Sequence, residues 1–201
     1  MNTFSHLLMG NFLCDYMQEH YGIALDRASF LHGNILPDYR ISFLTRPHYL
    51  KNNIDYLQSE LRGLLHDKQD SAYCGKSFSK HLGIVCHYYA DFFCFAHSGG
   101  FCGGLVKHIT YERKLHRYLK EHGGELGGIR FLPQADASED ARYLYRCFDA
   151  LHEQYLASKQ SFGNDLVYMA LACVDVIFAL ANAMQPEETA VITDALEYIP
   201  A

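Results

Sequence analysis

Between residues 87 and 97 the chain reads HYYADFFCFAH, an apolar, aromatic-rich run with one carboxylate and two imidazoles set inside it. Burying an ionised carboxylate without a partner costs several kcal/mol. Asp91 therefore has to meet a histidine, a metal or another donor in whatever fold encloses this run. His87 and Asp91 are four residues apart, so on a helix they point from one face. His97 lies six residues beyond Asp91 and is rotated away from it if the helix continues. That spacing suits two neighbouring ions bridged by a carboxylate better than a single ion with converging ligands.

The rest of the chain reads as helices. Apolar residues recur at spacings of three and four, and no stretch alternates with β-branched enrichment. Helices are expected over residues 1–20, stopped by Gly22; from Pro47 to about Leu65; from Phe78 through His97; over 105–122; from Ser138, as N-cap with Glu139 and Asp140 in the first turn, to Lys159; over 164–184; and from Pro186 to Tyr198. Residues 68–76 and the glycines between 98 and 104 and between 123 and 128 read as loops. Gly33 to Asp38 reads as a rigid turn presenting Asp38, because Pro37 disfavours helix at Leu36. The expected fold is all-α: one domain over residues 1–201, a bundle of about eight helices. A chain of 201 residues can bury one sizeable core.

Charge and composition narrow the function classes. The net charge of −6 argues against stable binding of duplex nucleic acid, which needs a basic face. Seven cysteines without a CxxC pair argue for a reducing compartment, with no disulfide framework and no thiolate zinc site. No signal-peptide pattern opens the chain, so a cytoplasmic location is expected. Residues 166–184 are long enough to span a bilayer. Asp175 and Asn182 inside them, and the lack of flanking Lys or Arg, favour a buried helix over a transmembrane one. Asp175 itself needs a partner, either a metal-ligating histidine or a Tyr, His or backbone group in helix packing. Nothing in the sequence sets the oligomeric state.

Twelve histidines are many for this length. Four sets combine them with carboxylates: His6 near the N-terminus; Asp38 and His48 beside prolines; His87, Asp91 and His97; and His108 with Glu112, four apart on one expected helix. His20, His32, His66, His81, His116, His122 and His152 read as structural or solvated. Among these, His116 continues the His108–Glu112 face and His32 lies near the Asp38 segment.

Taken in order, these residues resemble the zinc-dependent phospholipase C family. The resemblance runs over residues 1–112: Ser5-His6-Leu7, then G-N-x-x-x-D-Y from Gly33 to Tyr39, then His48, then HxxxDxxxxxH from His87, then HxxxE from His108. It implies a helical bundle holding two or three zinc ions and hydrolysing a phospholipid or related phosphoester with zinc-activated water. By position it implies that His48, His87 and Asp91 hold one ion, with Asp38 at its edge as ligand or general base. Asp91 would bridge to a second ion held by His6 and the Met1 backbone. His97, His108 and Glu112 would hold a third. Tyr39 matches an aromatic of the substrate pocket, whereas Thr45 stands where a second aromatic is expected. Two alternatives are a single-strand nuclease of the P1/S1 type and a zinc-binding helical protein without catalysis. The nucleases share the HxxxDxxxxxH run but close with HxxxD in place of HxxxE.

Overall fold

A computed structural model describes residues 1–39, 50–66, 74–134 and 140–184. His48, Thr45, Ser138, Glu139 and the expected last helix from Pro186 lie outside the described residues. Within them are seven α-helices: α1 (Thr3–Tyr21), α2 (Arg27–Tyr39), α3 (Leu50–His66), α4 (Lys76–Phe92), α5 (Leu105–His122), α6 (Ala141–Ala157) and α7 (Phe162–Ala183). Short 3-10 turns follow α4 (Phe95–His97) and α5 (Gly123–Gly128). The all-α expectation holds.

The helix ends follow local chemistry. Asn2 caps α1 by accepting the Ser5 N–H at 2.9 Å. Gly22 stops it in the left-handed region at φ 67°, and the following Ile23 N–H returns to the Met17 carbonyl. Asp140, expected in the first turn, caps α6, accepting the Arg142 N–H at 2.8 Å. Ser161 caps α7 through the Asn164 N–H.

Two expectations about local structure are corrected. The segment around Pro37 is helical: α2 continues to Tyr39 with Pro37 inside its last turn. Packing against α4 overrides the local preference there. Gly33 and Gly83 face each other where α2 and α4 cross, so closely that a β-carbon at Gly33 would overlap the Lys80 carbonyl and one at Gly83 the Phe30 carbonyl. The second correction concerns α4, which does not run to His97. It ends at Phe92, and His97 sits on the separate 3-10 turn.

The break after Phe92 has a tertiary cause. In a continuing α-helix the Phe95 N–H would donate to the Asp91 carbonyl. Here the Asp165 carboxylate, from the first turn of α7, accepts that N–H at 3.2 Å, and the Cys94 N–H takes the Asp91 carbonyl at 3.0 Å. The Phe92 carbonyl accepts from His152 Nε2 of α6 at 3.1 Å. Side chains of α6 and α7 thus take up backbone groups that the next helical turn would have used.

The core lies under α4 and α7. Phe92, Phe93, Phe148 and Tyr155 form a buried aromatic cluster between α4 and α6, and Met169, Cys173, Ile177 and Leu180 bury one face of α7. Among the described helices α7 alone is long and apolar enough to cross a membrane, and most of it is buried inside the bundle. All seven cysteines are unpaired thiols. Asp175 accepts the Gln134 backbone N–H at 2.6 Å, so a backbone group is among its partners.

Candidate metal centre

His87 and Asp91 project from one face of α4 into the middle of the bundle, both fully buried. The Asn34 carbonyl of α2 accepts from His87 Nδ1 at 2.8 Å. Because a carbonyl only accepts, Nδ1 carries the proton, and Nε2 is turned toward Asp91 Oδ2 at 3.5 Å. From the first turn of α1, His6 stacks on His87 with ring centroids 3.9 Å apart. His6 Nε2 lies 3.3 Å from Asp91 Oδ1. One ligand atom from each of His6, His87 and Asp91 lies within 4.8 Å of the others.

Both ring nitrogens of His6 are buried without a hydrogen-bond partner. Buried polar atoms in native folds are nearly always satisfied, and an ion is one of the few groups that accounts for an exception. Two imidazoles and a carboxylate at this separation are also a donor set that zinc accepts. The residues fit the metal.

A second group abuts the first. His97 from the 3-10 turn and His108 and Glu112 from α5 again bring ligand atoms within 4.8 Å of one another. Glu112 Oε1 lies 3.1 Å from His97 Nε2 and 3.2 Å from His108 Nε2. Burial by itself would raise the Glu112 carboxyl. The hydrogen bond to His97 and the nearby Met1 ammonium outweigh it and bring the group down to about 2. Burial pushes the His97 imidazole below its ordinary value, toward the neutral form that ligates metal.

The Met1 amine joins the two groups. It donates to Asp91 Oδ1, and it lies 3.1 Å from His97 Nε2 and 3.4 Å from Glu112 Oε1. Burial alone would lower this amine. The Asp91 and Glu112 carboxylates overcome that and hold it at about 11 against an ordinary 8.0. Without an ion the ammonium is the counter-charge between the two carboxylates.

Asp91 therefore has its two oxygens on different sides. Oδ2 faces His87, while Oδ1 faces His6, the Met1 amine and, at 3.7 Å, His97. Asp38 stands at the edge of the first group. Thr3 Oγ1 donates to its Oδ2 at 2.7 Å, and its Oδ1 lies 3.9 Å from His87 Nε2. The next residue, Tyr39, is exposed at the end of α2.

The sequence model of one family, described as zinc-dependent phospholipase C, matches residues 5–162. The chain belongs to the zinc-dependent phospholipase C family. It matches no curated protein and no solved structure.

Within this phospholipase C-family fold, eight of the nine expected ligand positions converge: Met1, His6, Asp38, His87, Asp91, His97, His108 and Glu112. The ninth, His48, lies outside the described residues. What differs is the reason His97 departs from the His87–Asp91 face. Rotation around one helix does not separate them; the end of the helix does.

Four supporting contacts escaped the sequence reading. Asp165 is fully buried and accepts from Tyr111 Oη at 2.7 Å and Tyr155 Oη at 2.9 Å as well as from Phe95 N. It ties α5, α6 and the His97 turn to α7. Burial pushes its carboxyl up to about 6, although these hydrogen bonds pull the other way. The Asn34 carbonyl orients His87, and Thr3 orients Asp38. His116, singled out for its helix face, contacts Ser5 Oγ through Nδ1 at 3.1 Å and so braces the turn that carries His6. An S-x-x-N spacing at residues 161–164 marks the start of α7, and Asp165 directly follows it; nothing in that pattern distinguishes Asp165 from an ordinary acidic residue of a first turn.

Proposed function

We propose that the protein is a zinc-dependent phosphodiester hydrolase of the phospholipase C type, acting on a phospholipid or a related phosphoester. The observation that carries this reading is the fully buried Asp91 carboxylate, with one oxygen facing His87 and the other facing His6, the Met1 amine and His97. A structural His–Asp pair needs one face of the carboxylate; a bridge needs both.

Bound zinc supplies Lewis acidity toward phosphoryl oxygens and toward water, whose pKa it lowers to about 7. The chain's residues do the remainder. His6, His87 and Asp91 hold one side of the centre, and His97, His108 and Glu112 hold the other. Asp38, Asp91 and Glu112 are three carboxylates against two or three dications, so the loaded centre is net positive and attracts a phosphodiester anion. Asp38, fixed by Thr3 through one oxygen, turns the other toward His87 and the first group. From there it orients an attacking water and takes its proton. The Asn34 carbonyl keeps His87 in the tautomer that presents Nε2. Tyr39, exposed beside Asp38, meets the group attached to the phosphate.

Metal analysis of the chain with a free Met1 amine tests this reading, with two or three zinc per chain expected. Turnover is then measured on p-nitrophenyl phosphoesters, phospholipids and single-stranded DNA. Asp91→Asn should lose zinc and activity together, whereas Asp38→Asn should lower the rate far more than the metal content. Less than one zinc per chain, or full zinc retention in Asp91→Asn, would overturn the assignment.

A further inference from the structure

The turns of α5 that supply His108 and Glu112 also carry large apolar side chains outward. Leu105 and Val106 are 74% and 78% exposed, and Ile109, three residues before Glu112, is also exposed. Phe4, 71% exposed on α1, sits beside α5 with its ring 6.3 Å from that of His116. It is two residues from His6. Tyr39, also exposed, lies next to Asp38, which Thr3 links to the same turn of α1. Three elements thus place exposed apolar groups around the metal centre, where a soluble fold gains nothing by exposing them.

The charge around them is as uneven. The chain carries −6 overall, yet α5 has five basic residues, Lys107, Arg113, Lys114, Arg117 and Lys120, against two acidic ones, a formal +3. All five basic residues are exposed, while Glu112 turns inward to the centre. Val106, Arg113 and Arg117 fall on one solvent-facing strip at helical spacing. A helix with apolar groups at one end and basic groups along its outer face has the make-up of a segment that lies on a lipid surface.

We propose that the outer face of α5, with Phe4 and Tyr39, docks the protein on an anionic lipid surface. The apolar tip enters the headgroup region, the basic strip meets anionic phosphates, and the metal centre is held at the level of the lipid phosphodiesters. A second copy of the chain fits this face poorly, because two-fold pairing through α5 would set its basic strips against each other. The docking surface rests on the phospholipid reading for its purpose but not for its measurement.

The experiment is co-sedimentation of the full, metal-loaded chain with phosphatidylcholine vesicles, with and without phosphatidylserine, at low and high salt. Turnover of a soluble phosphodiester is followed in parallel. Binding is expected to need phosphatidylserine and to weaken with salt. It should fall by about tenfold or more in Val106→Asp and in the double variant Arg113→Glu/Arg117→Glu, both with soluble turnover unchanged. Absence of vesicle binding, or binding that neither variant reduces, overturns the proposal. So does a dimer in gel filtration that Val106→Asp dissociates without any vesicle binding, since the face then belongs to a second copy. Vesicle binding in a chain that turns over no phosphoester would leave the surface standing and remove the catalytic reading instead.

Discussion

Asp165 accepts the backbone N–H of Phe95 at 3.2 Å, two residues before His97 and seventy residues away in the chain. That bond holds the turn on which His97 reaches the Met1 amine and Glu112. Two tyrosine hydroxyls complete the carboxylate's set of partners. Asp165→Ala leaves one buried and two part-buried donors without this acceptor, and it should lower unfolding free energy by about 2 kcal/mol or more. Zinc held through His97, His108 and Glu112 should be lost before zinc held through His6 and His87. Urea unfolding and metal titration check this. A variant with wild-type stability and zinc content would show that the His97 turn stands without Asp165.

The same carboxyl gives a pH dependence with a defined sign. Its folded-state value of about 6 lies above the ordinary 3.8, so the folded protein binds the proton more tightly than the unfolded one. Its contribution to stability is full below the unfolded value and is lost as pH rises through about 6. In metal-free protein the stability of wild type relative to Asp165→Asn should therefore decrease between those two values. The decrease is up to about 3 kcal/mol. Parallel unfolding curves across that window would assign the titration to another group.

Met1 places its amine among Asp91, His97 and Glu112 in a space closed to solvent. A short peptide fused ahead of Met1 replaces the amine, which loses its proton to ligate an ion, with an amide that has no such lone pair, and adds bulk where there is no room. Zinc affinity of the ion beside Asp91 Oδ1 should drop by about tenfold or more, the scale of a lost supporting contact at a metal site. Comparing the fused chain with one whose Met1 amine is free, in a competitive chelator titration, measures the difference. Equal affinities would remove the amine from the ligand set.

The crossing of α2 and α4 predicts opposite outcomes for glycines of similar helical context. Gly83→Ala drives a methyl group into the Phe30 carbonyl and should destabilise by about 3 kcal/mol or more. Gly63→Ala in α3 meets nothing within 4 Å and should stabilise by up to about 1 kcal/mol. Thermal melts of the two variants separate a packing requirement from helix propensity.

Helical periodicity made the bundle legible in the sequence, and HxxxD and HxxxE spacings made much of the centre legible. Those are local signals: a pair four apart on a helix declares its shared face without knowledge of the rest of the fold. The misread parts are the ones decided at long range. Pro37 reads locally as a helix stop, but the close approach of Gly33 and Gly83 keeps α2 helical past it. Phe92 has no local stop signal after it, yet side chains from α6 and α7 end the helix there. Asp175 and Asp165 look alike, two acids in an apolar helix. Only the fold tells that the first holds a loop amide and the second holds the turn that carries His97.

The glycine contact between α2 and α4 also bears on how such a centre tolerates sequence drift. Where helices are spaced by side chains, each exchange of one core residue for another moves the axes by some fraction of an ångström. Here two backbones touch, one turn of α4 before His87, and the spacing is that of main-chain atoms whose size never varies. Asn34 and Asp38 are carried on one backbone and His87 on the other. Leu, Phe and Met elsewhere in the core are free to exchange over generations while the separation between these groups keeps its gauge.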